Sequence, residues 1–193
     1  MEREILIVAD NELHISSFEK AITKKNYRIK AVINFDVDLN KYVELNQPDI
    51  IVIDVEAPLT IYLEKIRDVN SKYPTPVVMF TQMNDDSDTI EKALAAGVHA
   101  FIVNNVETGR IATIIDTAVI RFNQYQSIKK KLEETQASLD DRKTIERAKG
   151  ILMENRGMKE QDAYSMLRKM AMDQNKKISE VSKNVVDMFK FIS

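Results

Sequence analysis

Five short apolar runs, separated by segments with apolar residues at helical spacing, occupy the first 105 residues and restrict the fold more than any other property of the chain. Ile5–Val8, Tyr27–Ile33, Ile50–Ile53, Val77–Phe80 and Ala100–Val103 read as strands, and segments near 11–25, 37–46, 59–72 and 87–96 read as the helices between them. This alternation predicts an α/β domain with an open parallel sheet and crossover helices. Ligand chemistry in such sheets lies beyond the carboxyl ends of the strands, here at Asp10, Asp54, Thr81 and Asn104.

The sheet is expected to be flavodoxin-like, of order 2-1-3-4-5. With 193 residues, 44% of them hydrophobic, the chain has room for one medium domain and one small one, each with its own core. Cysteine is absent, which excludes disulfide frameworks and thiolate metal sites. The acidic start Met1-Glu2-Arg3-Glu4 and the lack of any apolar run near the ~18 residues of a membrane helix lead us to expect a soluble, cytoplasmic protein with no membrane partner. Charge is unevenly spread: residues 1–124 hold 13 Lys+Arg against 19 Asp+Glu, whereas residues 125–193 hold 15 against 11. The basic half is the candidate polyanion binder, because clustered cations gain from counterion release.

Between Gly109 and Gly150 no glycine or proline occurs, so the chain to about Asn155 reads as one long helix leaving the sheet domain. Ala118, Phe122, Tyr125, Leu132 and Leu139 follow the three-four rhythm of a coiled-coil seam, weakened by Lys129 and Gln136 on the same line. That seam predicts a parallel homodimer; the alternative is a solvated connector packed on its own domain. After Arg156-Gly157, two amphipathic helices over Lys159–Asp173 and Ile178–Phe191 complete a three-helix bundle. The expected division is a sheet domain at 1–122, a coiled-coil linker helix at 123–138 and an all-α domain at 139–193.

The motifs I-L-I-V-A-D-N-E at 5–12, P-D-I-I-V-I-D at 48–54, P-V-V-M-F-T at 76–81 and A-G-V-H-A-F-I-V-N-N at 96–105 resemble the response-regulator receiver domain. The resemblance implies that Asp54 is the phosphoacceptor equivalent, Asp10 a Mg²⁺-binding carboxylate and Thr81 the assisting hydroxyl. Two positions depart from the pattern: Ala9 stands where a second acid is usual, and Asn104 stands where a lysine would contact the phosphoryl group. Loss of a carboxylate weakens Mg²⁺ at Asp10 and Asp54, and loss of the lysine removes charge that would offset the phosphoryl oxygens. A pseudo-receiver that is not phosphorylated is therefore expected, with Glu12 as a partial substitute acid keeping the phosphorylated alternative open. On a bland reading Asp10 and Asp54 are only polar residues at strand ends. The segment I-D-V-E-A-P at 53–58 is most similar to the NasT-type antiterminators of nitrate and nitrite assimilation, which implies control by a nitrate-sensing inhibitory partner protein.

R-K-T-I-E-R-A-K-G-I-L-M at 142–153, D-A-Y-S-M-L-R-K-M-A-M at 162–172 and K-I-S-E-V at 177–181 resemble the ANTAR module, an RNA-binding domain of transcription antiterminators. The resemblance implies binding of leader mRNA stem-loops, and dimerisation. Proteins read RNA hairpin loops by stacking on exposed bases and by cations on the backbone. Tyr164 and Arg168, four apart, share a helix face, as do Arg142 and Lys149, with Lys143 and Arg147 on an adjacent stripe. Tyr164 at a core margin is the plain alternative. Gly150 costs a helix about 1 kcal/mol relative to alanine, so close approach of RNA or of a neighbouring helix is expected there. Ala148, Ile151, Leu152, Ala163, Leu167, Ala171 and Met172 are assigned to the core, and Lys129-Lys130-Lys131 to a solvated face.

His14 and His99 are the only histidines, far apart and without cysteine, so a zinc site is not expected. Neither a phosphate-cradling glycine loop nor a serine nucleophile motif occurs, and no enzyme is expected. The expectation is a transcription antitermination regulator; the alternatives are a phosphorylation-activated response regulator binding RNA or DNA, and a protein-interaction adaptor.

Overall fold

The computed structural model describes residues 2–10, 15–22, 26–58, 60–82, 87–104 and 106–190. The elements run β1 (Arg3–Ala9), α1 (Ile15–Ile22), β2 (Tyr27–Ile33), α2 (Leu39–Asn46), β3 (Ile50–Val55), α3 (Thr60–Lys72), β4 (Val77–Thr81), α4 (Ser87–Ala95), β5 (Ala100–Val103), α5 (Thr108–Arg156), α6 (Glu160–Asp173) and α7 (Ile178–Lys190). The five strands form one parallel sheet in the order β2-β1-β3-β4-β5. This is the expected topology, followed by the expected long helix and two further helices.

The strands alternate their side chains between two apolar layers. Leu6, Val8, Ile51, Ile53, Val77 and Met79 face α2, α3 and α4 through Leu39, Val43, Leu63, Ile66, Val69 and Ala93. Ile5, Ile7, Ile50, Val52, Val78 and Phe80 face α1 and α5 through Phe18, Ile22, Ile111, Ile115 and Val119. Every residue of β3 is buried, Asp54 included, as a central strand covered on both faces requires. Gly97 shows how tightly α3 meets the sheet. Its φ is +98°, and a Cβ there would lie 2.0 Å from Asn70 Nδ2, which donates to Gly97 O at 2.8 Å.

β3 extends two residues and β4 one residue beyond the expected ends, so that Val55 and Thr81 still belong to the ladder. The coiled-coil expectation needs a larger correction. Ala118 is fully buried and Phe122 is nearly so, both packed within the sheet domain, with the Phe122 ring edge-on to His99 at 5.0 Å. The exposed apolar stripe of α5 is instead Tyr125, Ile128, Leu132 and Leu139, of which Ile128 was not anticipated. His99 is structural: its Nδ1 accepts from Val77 N at 3.2 Å, and burial lowers its pKa. His14 lies outside the described residues.

The chain divides into two compact units, Met1–Gln126 and Ser127–Ser193, so α5 contributes to both. The second unit has its own core of Ala148, Leu152, Ala163, Leu167, Val185 and Val186. Gly157, at φ +63°, turns the chain between α5 and α6, and Asn175, at φ +50°, ends α6 in the left-handed region that asparagine tolerates. Met172, expected in the core, is 72% exposed; five residues beyond Leu167, it turns off the inward stripe that Ala171 completes. Among the described residues no helix is long and apolar enough to cross a membrane.

Candidate functional site

The carboxyl ends of the strands bring Asp10, Asp54, Thr81 and Asn104 to one edge of the sheet. Asp54 ends the apolar run of β3 and is 7% exposed, while Asp10 just beyond β1 is exposed and donates its N–H to Asp54 O at 3.2 Å. Thr81 is buried, and its Oγ1 donates to Glu56 O at 2.9 Å. That bond ties the hydroxyl to the segment following β3. Asn104 is exposed, donates its N–H to Thr81 O at 2.8 Å and holds φ at +69°. This backbone gives a physical reason for asparagine at the position where the receiver pattern has lysine, because asparagine is among the few side chains that enter the left-handed region readily.

The spacing of residues gave no hint of Tyr62. Its hydroxyl lies near the Asp10 carboxylate, and its ring stacks on Phe35 with centroids 4.0 Å apart and planes 10° apart. Burial first, and the Asp10 carboxylate second, push the phenol above its ordinary pKa. A hard divalent cation would draw on Asp10 and Asp54. Among the described residues no group of three or more His, Asp or Glu side chains is placed to hold a metal. Glu12, the expected substitute acid, lies outside the described residues.

In the second unit Arg142, Lys143 and Arg147 are exposed on α5, with Lys143 Nζ 3.8 Å from Asp140 Oδ1. Lys149 is not available as expected. It is 7% exposed, and its Nζ lies 2.7 Å from Glu160 Oε1 and 2.9 Å from Glu146 Oε2. The hydrogen bond that Lys149 donates to Glu160, then that to Glu146, raises the ammonium pKa, while Lys149 in turn lowers that of Glu160. Its stem lies next to core residue Ala148, and its head ties α5 to the acidic first turn of α6. Lys149 is therefore a clasp between helices rather than a phosphate ligand.

Tyr164 is 45% exposed and Arg168 is exposed, one turn apart on α6, while Ala163 and Leu167 point into the core. The expected pairing of phenol and guanidinium on one outward face is thus present. A Cβ on Gly150 would meet nothing within 4 Å, so no neighbouring helix of the chain explains that glycine. Lys169 beside Arg168, and Lys176 and Lys177 in the turn before α7, are further exposed cations that sequence reading passed over. No spacing rule singles out residues of a turn.

A family model described as the response regulator receiver domain matches residues 5–116, and one described as the ANTAR domain matches residues 133–186. "Transcriptional regulatory protein PdtaR" of Mycobacterium tuberculosis (strain ATCC 25618 / H37Rv) is 27% identical over 185 residues, covering 96% of this chain and 90% of that protein. The "Nitrate regulatory protein" of Klebsiella oxytoca is 39% identical over 61 residues, which are 32% of this chain and 15% of that protein. Among solved structures, a two-component response regulator of the LuxR family from Aurantimonas sp. SI85-9A1 superimposes with a TM-score of 0.54 at 19% identity, covering 62% of this chain and 86% of that one. That last likeness concerns the fold alone.

Proposed function

The chain belongs to the response regulator receiver family and carries an ANTAR domain behind its receiver, and from that premise we propose that it is a transcription antitermination regulator that binds stem-loops in leader mRNA. The observation that carries this reading is the outward pair Tyr164 and Arg168 on α6. A phenol offers a stacking surface to a base splayed from a loop, and a guanidinium beside it engages the adjoining phosphate or stacks in turn. Arg142, Lys143 and Arg147 extend the positive surface along α5. Holding the hairpin prevents an overlapping terminator from forming, so polymerase continues into the downstream genes. No step of this action requires catalysis.

Self-association through Tyr125, Ile128, Leu132 and Leu139 fits the same reading, since an exposed apolar stripe at three-four spacing is what a parallel helical pair buries. For the input we favour a partner protein over phosphorylation. The alanine at position 9 and the left-handed Asn104 both work against phosphoryl transfer onto Asp54. Nitrate and nitrite assimilation is the proposed context, and a nitrate-sensing inhibitory protein the proposed partner, on the strength of I-D-V-E-A-P at 53–58 and the partial likeness to a nitrate regulatory protein. Phosphorylation-activated binding remains the second reading, favoured by an acid at the end of β3 with the Thr81 hydroxyl on the neighbouring strand.

Filter binding of candidate leader hairpins at several salt concentrations tests the RNA reading. With four cations on phosphates, the plot of log affinity against log salt is expected to fall with a slope of about −3. A flat plot, or tighter binding to promoter duplex than to leader RNA, would remove it. Asp54→Asn is expected to leave antitermination of a reporter intact; loss of induction in a folded Asp54→Asn protein would establish phosphorylation as the input.

A further inference from the structure

The free edge of the sheet carries a feature that RNA binding does not use. Among the described residues β5 pairs only with β4, so its other side is open there to a further strand. His99 N–H donates to Val77 O at 2.8 Å, across to β4, and the pleat alternation therefore turns the N–H and C=O groups of Ala100 and Ile102 toward the open side. A groove of about 370 Å³ follows this edge between β5 and α5. Its helical wall consists of Arg110, Thr113, Ile114, Thr117 and Arg121, which recur every three or four residues and so form one stripe. Both arginines are exposed, and no aspartate or glutamate lines the groove beside them.

Arg110 and Arg121 are eleven residues apart on α5, about 16 Å by helical rise. An extended strand advances ~3.4 Å per residue and returns its side chains to one face every second position. Carboxylates at the first and fifth positions of such a strand are then about 14 Å apart, within reach of both guanidinium groups. The position midway between them faces Ile114 and Ile102 and suits an aliphatic side chain. A polyphosphate is a poor occupant, since it has no N–H groups to offer the open carbonyl groups of β5. A short strand with two carboxylates feels mainly the two arginines, because charges beyond roughly 8 Å are screened at physiological salt.

We propose that this groove docks an acidic segment of a partner protein, which adds to β5 as a sixth strand and sets two carboxylates, four residues apart, on Arg110 and Arg121. The site is independent of RNA binding and does not require Asp54 chemistry. The test uses the full-length chain and two acetylated, amidated peptides, Glu-Thr-Val-Thr-Glu and Gln-Thr-Val-Thr-Gln, followed by NMR titration of backbone amides. The acidic peptide is expected to shift amides at 100–103 and 110–121 and to bind about tenfold more tightly than its neutral counterpart, as two guanidinium–carboxylate contacts imply. Arg110→Gln with Arg121→Gln should remove that difference. The peptide pair reads the charge dependence even if the double variant folds poorly. Equal affinity for the two peptides, or shifts confined to other surfaces, overturns the proposal. So does sedimentation showing that the wild-type chain self-associates through this edge and that the double variant does not, since the occupant would then be a second copy.

Discussion

Replacing Tyr164→Ala and Arg168→Ala together is expected to lower affinity for a leader hairpin by roughly a hundredfold or more. Stacking of one base on an aromatic ring is worth about 1–3 kcal/mol by alanine substitution, and a hydrogen bond to a charged group contributes about 1.5–3 kcal/mol. Their sum, about 2.5–6 kcal/mol, corresponds to a factor of roughly sixty to twenty thousand in the dissociation constant. Both side chains stand on the outer face of α6, whereas Ala163 and Leu167 hold its inner face, so the helical content should not change. Filter binding together with far-ultraviolet circular dichroism checks both halves of the statement. Full affinity retained by the folded double variant would mean that RNA, if bound, is held elsewhere. Tyr164→Phe refines the result, because stacking survives there and only the hydroxyl is lost.

Leu167→Ala should have the largest effect on stability. Leu167 is fully buried in a core that rests on five other buried side chains, Ala148, Leu152, Ala163, Val185 and Val186. Truncating a buried leucine costs about 2–5 kcal/mol, because the lost apolar contact is accompanied by a cavity that the surroundings fill incompletely. A unit this small has a total stability of the same order. Its thermal transition should therefore fall sharply or vanish, while the transition of the sheet unit, with separate apolar layers, persists. Differential scanning calorimetry of the full chain reads both. An unaltered profile would show that Leu167 does not hold the bundle together.

The parallel sheet was legible because β3 is apolar along nearly its whole length, a pattern that only burial on both faces rationalises. The turn at Gly157 and the outward pair on α6 were legible for similarly local reasons. The seam was misread in part, since apolar residues at three-four spacing serve equally to cover a sheet and to join two helices. Periodicity names the face and not what covers it, so Ala118 and Phe122 were placed on the wrong surface. Lys149 was misread because its partner Glu160 is local only in space, across the turn that separates α5 from α6. Tyr62 was missed for the same reason: nothing near it in the chain reveals that α3 brings its hydroxyl near Asp10 beyond the end of β1.

The left-handed backbone of Asn104 makes a lysine at that position costly. Under the partner-controlled reading, Asn104→Lys alone would not restore a phosphoryl switch, since it would burden the fold with about 1–2 kcal/mol of conformational strain while position 9 still lacked its acid. Each reversal is unrewarding without the other. On that reading the domain keeps its architecture and exchanges a covalent trigger for a docking event.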